Sequence, residues 1–232
     1  MKTVFITGAA GNLGKATVDK FVSEGYKVIA TATAGKTSGT MPKEVEVYEV
    51  DLSDEDAVDE TIGKVLTKYK SLDAALFLAG GYAHGGLADT DFARLDRMIA
   101  LNFHTAFFAA QRIFQHMITQ KEGGRLIFIG ARPGLDAKAA STSLAYGLSK
   151  SLIFYLADIL NATAHATAHG AKVTASVVVP STIDTPQNRA AMPKADFSHW
   201  VKAEEIADTL HLIADKRSAS WRETVIKVYG LS

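Results

Sequence analysis

Thr3-Val4-Phe5-Ile6-Thr7-Gly8-Ala9-Ala10-Gly11-Asn12-Leu13-Gly14 is the stretch that decides the fold. Five residues, mostly apolar and β-branched, read as a short buried strand. An amphipathic stretch running to Glu24 reads as a helix. Strand, Gly-x-x-Gly-x-x-Gly, helix is the setting of a dinucleotide-binding loop. Gly8 permits the tight turn off the strand, Gly11 lets backbone approach a pyrophosphate, and Gly14 lets the helix pack on the sheet. The amides of Asn12, Leu13 and Gly14 open the helix, where its dipole favours phosphate.

Outward from this unit the chain alternates strand and helix. Strands are expected at Tyr26–Ala32, Glu44–Val50, Asp73–Leu78, Arg125–Gly130, Lys172–Val179 and Thr224–Val228. Helices are expected at Asp54–Lys70, Asp91–Lys121, Tyr146–Ala168 and Ala203–Ala214, with Ser53 and Asp56 resembling a capping box. Seven short apolar strands separated by helices predict an α/β fold: a doubly wound, seven-stranded parallel sheet of Rossmann type with helices on both faces. No linker or repeat divides the chain, so residues 1–232 are expected to form one NAD(P)-binding domain. The longest irregular segment in the second half, about 181–201, falls at the carboxyl end of a strand and is expected to be a substrate loop or lid.

Charge narrows the function. Lys+Arg and Asp+Glu are 25 each among 232 residues, for a net charge of zero. That argues against a nucleic-acid or anionic-membrane partner, both of which draw on surplus cations. With no cysteine, thiolate chemistry and disulfides are excluded. The seven histidines show no metal-ligand spacing, so no metal is expected. No apolar run approaches the ~18 residues needed to span a bilayer, and no signal segment precedes the first strand, so the cytoplasm is the expected location.

Candidate site residues follow from strand ends. Asp51 could accept from an adenine amino group while Leu52 covers the ring; Asp51 could equally serve a helix N-terminus. Ala79, Gly80 and Gly81 would let a nicotinamide ribose approach. The second strand ends without the acid that binds the ribose of NAD. Thr31, Thr33 and Lys36, with Gly35 and Ser38 nearby, offer donors to a 2′-phosphate instead, which favours NADP(H) over NAD(H). Tyr146 and Lys150, spaced i and i+4, share a helix face. An ammonium beside a phenol lowers its pKa from ~10 towards the range useful for proton transfer. Tyr82 and His84 face the same crevice by topology. In the lid, Phe197 or Trp200 could stack on a flat ring or anchor the loop, and Arg189 could pair with Asp184 or Asp196.

Thr7-Gly8…Gly14, Asp51-Leu52, Ala79-Gly80, Asn102, Tyr146…Lys150 and Pro180-Ser-Thr-Ile183-Asp-Thr185 resemble, in order, the motifs of the short-chain dehydrogenase/reductase family over essentially the whole chain. The resemblance implies that Tyr146 passes the substrate proton and that Lys150 lowers its pKa and binds ribose hydroxyls. It implies that Asn102 holds the water of a proton relay, that Pro180, Ile183 and Thr185 border the nicotinamide, and that subunits pair as a homodimer or homotetramer. Asn12, Leu78 and Ser181 depart from the usual motif. So does Ala131, which stands where a catalytic serine is usual, leaving Ser141, Thr142 or Ser143 as substitutes. These departures recur in the dihydropteridine reductase branch, which the run Asp184–Trp200 also resembles. The branch implies hydride transfer to a conjugated imine or ketone small molecule, with Tyr146 as proton donor and Ala131, Tyr82 and Phe197 near the substrate. A carbonyl reductase of unrelated substrate and a non-catalytic NADP(H)-sensing regulator are the alternatives.

Overall fold

A computed structural model describes residues 1–35, 41–167, 172–218, 221 and 224–231, with only the backbone of Lys216. Seven strands form one sheet: β1 (Thr3–Thr7), β2 (Lys27–Ala32), β3 (Glu46–Glu49), β4 (Ala74–Phe77), β5 (Gly124–Ile129), β6 (Val173–Pro180) and, last in the chain, β9 (Val225–Val228). The order is β3-β2-β1-β4-β5-β6-β9, with every pairing parallel. Parallel strands need crossovers, and the helices that supply them bury both faces of the sheet.

On one face α1 (Asn12–Ser23) and α8 (Ala203–Ala214) pack Val18, Phe21, Ile206 and Leu210 against Val4, Ile6, Val28 and Leu76. On the other lie α2 (Glu55–Tyr69), α4 (Thr105–Met117) and α6 (Leu144–His165), which bury Ile62, Ile113 and Ile153 against Phe5, Ile29 and Phe128. Alternate residues of each strand feed the two cores, so near-continuous apolar runs are what these strands require. Among the described residues no helix is long and apolar enough to cross a membrane.

Four local expectations are corrected. The cap of α2 is Asp54, whose carboxylate accepts from Ala57 N at 3.1 Å, while Ser53 turns back to Asp51. The single helix expected over Asp91–Lys121 is α3 (Phe92–Ile99), a wide π turn (Ala100–His104) and α4, ending at Met117. The π turn accommodates an extra residue, aiming Asn102 inward, and Thr105 Oγ1 donates to Leu101 O at 2.8 Å. The lid segment carries short structure of its own. Strand β7 (Ile183–Asp184) pairs in parallel with β8 (Val201–Lys202), closing the base of the loop, and α7 (Pro186–Ala191) lies between them. The helix with Tyr146 starts two residues early, at Leu144.

Strand order reverses between β1 and β4, which opens a crevice at their carboxyl ends. Gly8, at φ +65°, lies against the backbone of Ala79 after β4; a Cβ on Gly8 would stand 2.8 Å from Ala79 N. A Cβ on Gly14 would run into the Gly8 carbonyl and Ala9. Gly14→Ala is therefore expected to destabilise the protein by about 1–3 kcal/mol. Gly63→Ala, on an exposed turn of α2 with open space around it, is expected to stabilise by about 0.5–1 kcal/mol. Urea unfolding of both variants checks the opposite signs.

Candidate active site

The crevice is built from backbone first. Gly11 caps α1 without any side-chain hydrogen bond, and no acid occupies the first turn. Lys15 N donates to Gly11 O at 2.9 Å and Gly11 N to Gly8 O at 3.1 Å. The Asn12, Leu13 and Gly14 amides precede the first amide that the helix can pair internally. Three uncapped amides at the positive end of a helix fit a dinucleotide diphosphate. Asn12 also hydrogen-bonds Gln187 of α7, so the glycine loop and the lid touch across the crevice.

Beside the loop, Asp51 Oδ1 accepts from Ser53 N (2.9 Å) and Ser53 Oγ (2.6 Å), which holds the carboxyl below its usual range. Leu52 packs its side chain against the core. At the end of β2, Thr31 is fully buried, with its hydroxyl unpaired; Thr33 is exposed. Lys36 and Ser38 lie outside the described residues. A carboxylate that the strand-two reading missed stands nearby: Glu49, the last residue of β3, accepts from Gly35 N at 3.4 Å. It comes from the neighbouring strand, and only the β2–β3 register, which pairs it with Ala32, brings it there.

The floor beyond β4 is one hydrogen-bonded unit. Asn102 Oδ1 accepts from Gly81 N (3.0 Å), and Asn102 Nδ2 donates to Gly81 O (3.1 Å) and to Ser149 Oγ (3.1 Å). Ser149 Oγ in turn donates to Tyr146 O at 2.8 Å. A Cβ on Gly80 would lie 2.6 Å from Asn102 Oδ1 and 3.4 Å from Lys150 Nζ, so the glycine is what lets these groups converge. The side chain of Asn102, expected to hold a relay water, has a structural duty at Gly81 and Ser149. Ser149 was not singled out from sequence; its position beside Lys150 carries no signal until the π turn is known.

Tyr146 and Lys150 share one face of α6, towards the ends of β4 and β5. Lys150 is buried, and its ammonium donates to Ile129 O at 2.9 Å. The Tyr146 ring meets Tyr82 edge to face, centroids 5.1 Å apart. Burial pushes the Lys150 pKa down to about 8. Burial first, and then Tyr82, push the Tyr146 phenol above its ordinary value. Desolvation thus sets the direction at Tyr146, the reverse of the expected depression.

Around this pair, Ala131 is buried at the head of a short 3-10 turn after β5. Ser141 Oγ donates to Lys138 O and Thr142 is exposed. Ser143 is buried at the cap of α6 without making a capping bond. Pro180 ends β6, and the Ile183 carbonyl accepts from Asn188 Nδ2 at 2.8 Å. Thr185 Oγ1 accepts from Asn188 N at 3.1 Å as the cap of α7. Trp200 is buried and anchors the lid; Phe197 packs on it at 4.7 Å. The Arg189 guanidinium lies over Phe197 and holds Asp184 in a two-point ion pair at 2.6 and 2.7 Å.

Residues 2–196 match the family model described as short chain dehydrogenase. The 3-oxoacyl-[acyl-carrier-protein] reductase of Thermotoga maritima is 26% identical over 249 residues, 99% of this chain and 96% of that protein. The dihydropteridine reductase of Dictyostelium discoideum is 27% identical over 210 residues, 90% and 86% of the two chains. A short-chain dehydrogenase/reductase structure from Serratia marcescens BCRC 10948 superposes with TM-score 0.83 at 26% identity, covering 100% of this chain and 98% of that one. The chain belongs to the short-chain dehydrogenase family and is an NAD(P)-dependent oxidoreductase. Two relatives with different substrates are equally distant, so similarity defines the family and not the dihydropteridine reductase branch.

The Lys150 shift has a sign that can be measured. Its folded pKa lies below the unfolded value of ~10.4, so between pH ~8 and ~10 the unfolded chain binds the extra proton and stability rises with pH. Wild-type protein is expected to gain about 1–2 kcal/mol from pH 8 to 9.5 relative to Lys150→Met, read by guanidinium unfolding at the two pH values.

Proposed function

We propose that this oxidoreductase reduces a conjugated imine or ketone of a small molecule, as a dihydropteridine-reductase-like enzyme, with Tyr146 as proton donor. The observation that carries the reading is Tyr146 and Lys150 on one helix, with the Tyr146 ring at Tyr82, the Lys150 ammonium at Ile129 O and Ala131 in place of a hydroxyl. The whole chain acts as one domain with a lid at about 181–201. The amides of Asn12, Leu13 and Gly14 would hold the diphosphate, with Gly8 and Gly11 leaving room for it. Asp51 and Leu52 would border the adenine, and Thr33 the adenosine ribose. Ala79, Gly80, Gly81 and Lys150 would receive the nicotinamide ribose, and Pro180, Ile183 and Thr185 would flank the nicotinamide. When bound, that cofactor supplies the hydride. Tyr146 Oη gives its proton to the substrate heteroatom, and the Lys150 ammonium stabilises the phenolate left behind. Ala131, Tyr82 and Phe197 line the substrate side.

The open end of β2 favours NADP(H), while Glu49 near Gly35 opposes a 2′-phosphate; we keep NADP(H) as the proposal, which a fluorescence titration with NADPH and NADH decides. Phe92, Leu152, Tyr155 and Ile159 on α3 and α6 are exposed apolar residues, which supports a homodimer or homotetramer. Leu152→Glu is expected to release a smaller species in light scattering, and an unchanged mass refutes that face.

Tyr146→Phe is expected to lower turnover of quinonoid dihydropterin about 10²-fold or more while leaving the Kd of the preferred cofactor within about twofold of wild type. Retained turnover would remove the assigned proton donor. Activity on simple ketones with none on dihydropterin would favour the carbonyl reductase alternative.

A further inference from the structure

A cavity of about 430 Å³ opens beside the catalytic helix, between the segment after β4 and the first turns of α3. Its walls are Tyr82, His84, Arg94, Arg97, Met98 and Leu101. Tyr82 belongs to both places, since the same ring packs edge-on against Tyr146. Leu101 precedes Asn102, so the cavity floor is continuous with the unit that fixes Gly81. No acidic side chain is among the lining residues.

Two arginines face this cavity. Arg94 Nη1 donates to Asp89 O at 2.6 Å, which holds its guanidinium across the loop at Gly85. Arg97 lies one turn further along the same face of α3 and has no acid partner among the described residues. Of the nearby acids, Asp89 accepts from Gly86 N and Asp91 caps α3 through Arg94 N, and neither they nor Asp96 line the cavity. Met98 and Leu101 give an apolar base below these charges.

We infer that this cavity is a substrate subsite, and that it takes an anionic group carried on a flat or apolar body whose reactive carbon lies at Tyr146. A carboxylate and a phosphate share the chemistry; a guanidinium fork matches either. The inference rests on the reductase reading above and narrows its substrate class to acidic compounds. Tyr82, exposed on one side and touching Tyr146 on the other, would separate the reacting end from the anionic end.

Isatin and isatin-5-carboxylate, the same ring without and with the charge, test this. Wild-type protein is expected to prefer the carboxylate, and Arg97→Gln to lower the ratio of kcat/KM for carboxylate over isatin about three- to tenfold, the change lying in KM. Arg97→Lys is expected to restore part of the ratio. A ratio that Arg97→Gln leaves unaltered overturns the subsite. Benzoate and phenyl phosphate as inhibitors separate the two sources of the anion, and failure of both to inhibit also overturns it. If neither isatin is reduced although NADPH binds, turnover of quinonoid dihydropterin decides the reductase reading instead. The subsite then stands or falls on calorimetric Kd values for the two isatins in wild type and Arg97→Gln.

Discussion

The side-chain amide of Asn102 pairs with the peptide groups on either side of Gly81 as a neighbouring strand would, and the site is assembled around that pairing. β4 ends at Phe77, and Gly81 beyond it lies outside the sheet. A buried peptide without a partner costs about 1–3 kcal/mol per group, so Asn102 continues the sheet by other means. The same amide reaches Ser149, which bonds the carbonyl of Tyr146. Three segments distant in sequence thereby share one network, and the turn of α6 that carries Tyr146 is tied to the chain beyond β4. Buried networks of this sort are stable only when every member is satisfied. The wide π turn is what brings Asn102 into place.

Electrostatics then sets the working state. The crevice floor is dry enough that burial works against charge at both Lys150 and Tyr146. A lone ammonium there has one carbonyl acceptor, Ile129 O, and two N–H groups left for others. Hydroxyl groups brought within reach would satisfy those donors, and negative charge developing on the phenol would be stabilised strongly in so low a dielectric. The lid contributes from the opposite side, tied at its base by β7 and β8 and folded on its own aromatic and ionic contacts. Through Gln187 and Asn12 it also touches the glycine loop.

Much of this was legible in the sequence, for physical reasons that differ from place to place. The seven strands could be read because parallel strands buried on both faces leave apolar runs that little else produces. Gly8 and Gly14 could be read because backbone lies where their side chains would be. The i, i+4 spacing of Tyr146 and Lys150 survives any small error in where the helix starts, which is why beginning at Leu144 rather than Tyr146 changes nothing in the site. The π turn was not legible, since Ala100–His104 has the composition of continuous helix and the extra residue is demanded only by the tertiary bond to Gly81. Nor was Glu49, because the corner it enters is formed by β2 and β3 together and strand two alone had suggested a site free of acids. The sign of the Tyr146 shift was missed likewise: spacing gives proximity to an ammonium, whereas burial, which here prevails, is a property of the packed crevice.

Ala131 bears on the kind of substrate this geometry can serve. A carbonyl oxygen gains negative charge as hydride arrives, and a missing donor at that oxygen typically costs about 10²-fold or more in rate. The hydroxyls that could replace it are differently placed: Ser141 donates to a backbone carbonyl, and Thr142 points from an exposed turn, which leaves Ser143 at the cap of α6. An imine nitrogen in a conjugated ring spreads that charge over the ring and needs one proton, delivered from one direction. On the reading proposed above, Tyr146 supplies it. On that reading the methyl group at position 131 suits a flat nitrogen heterocycle better than a simple ketone, because the substrate's own conjugation does what the absent hydroxyl would have done.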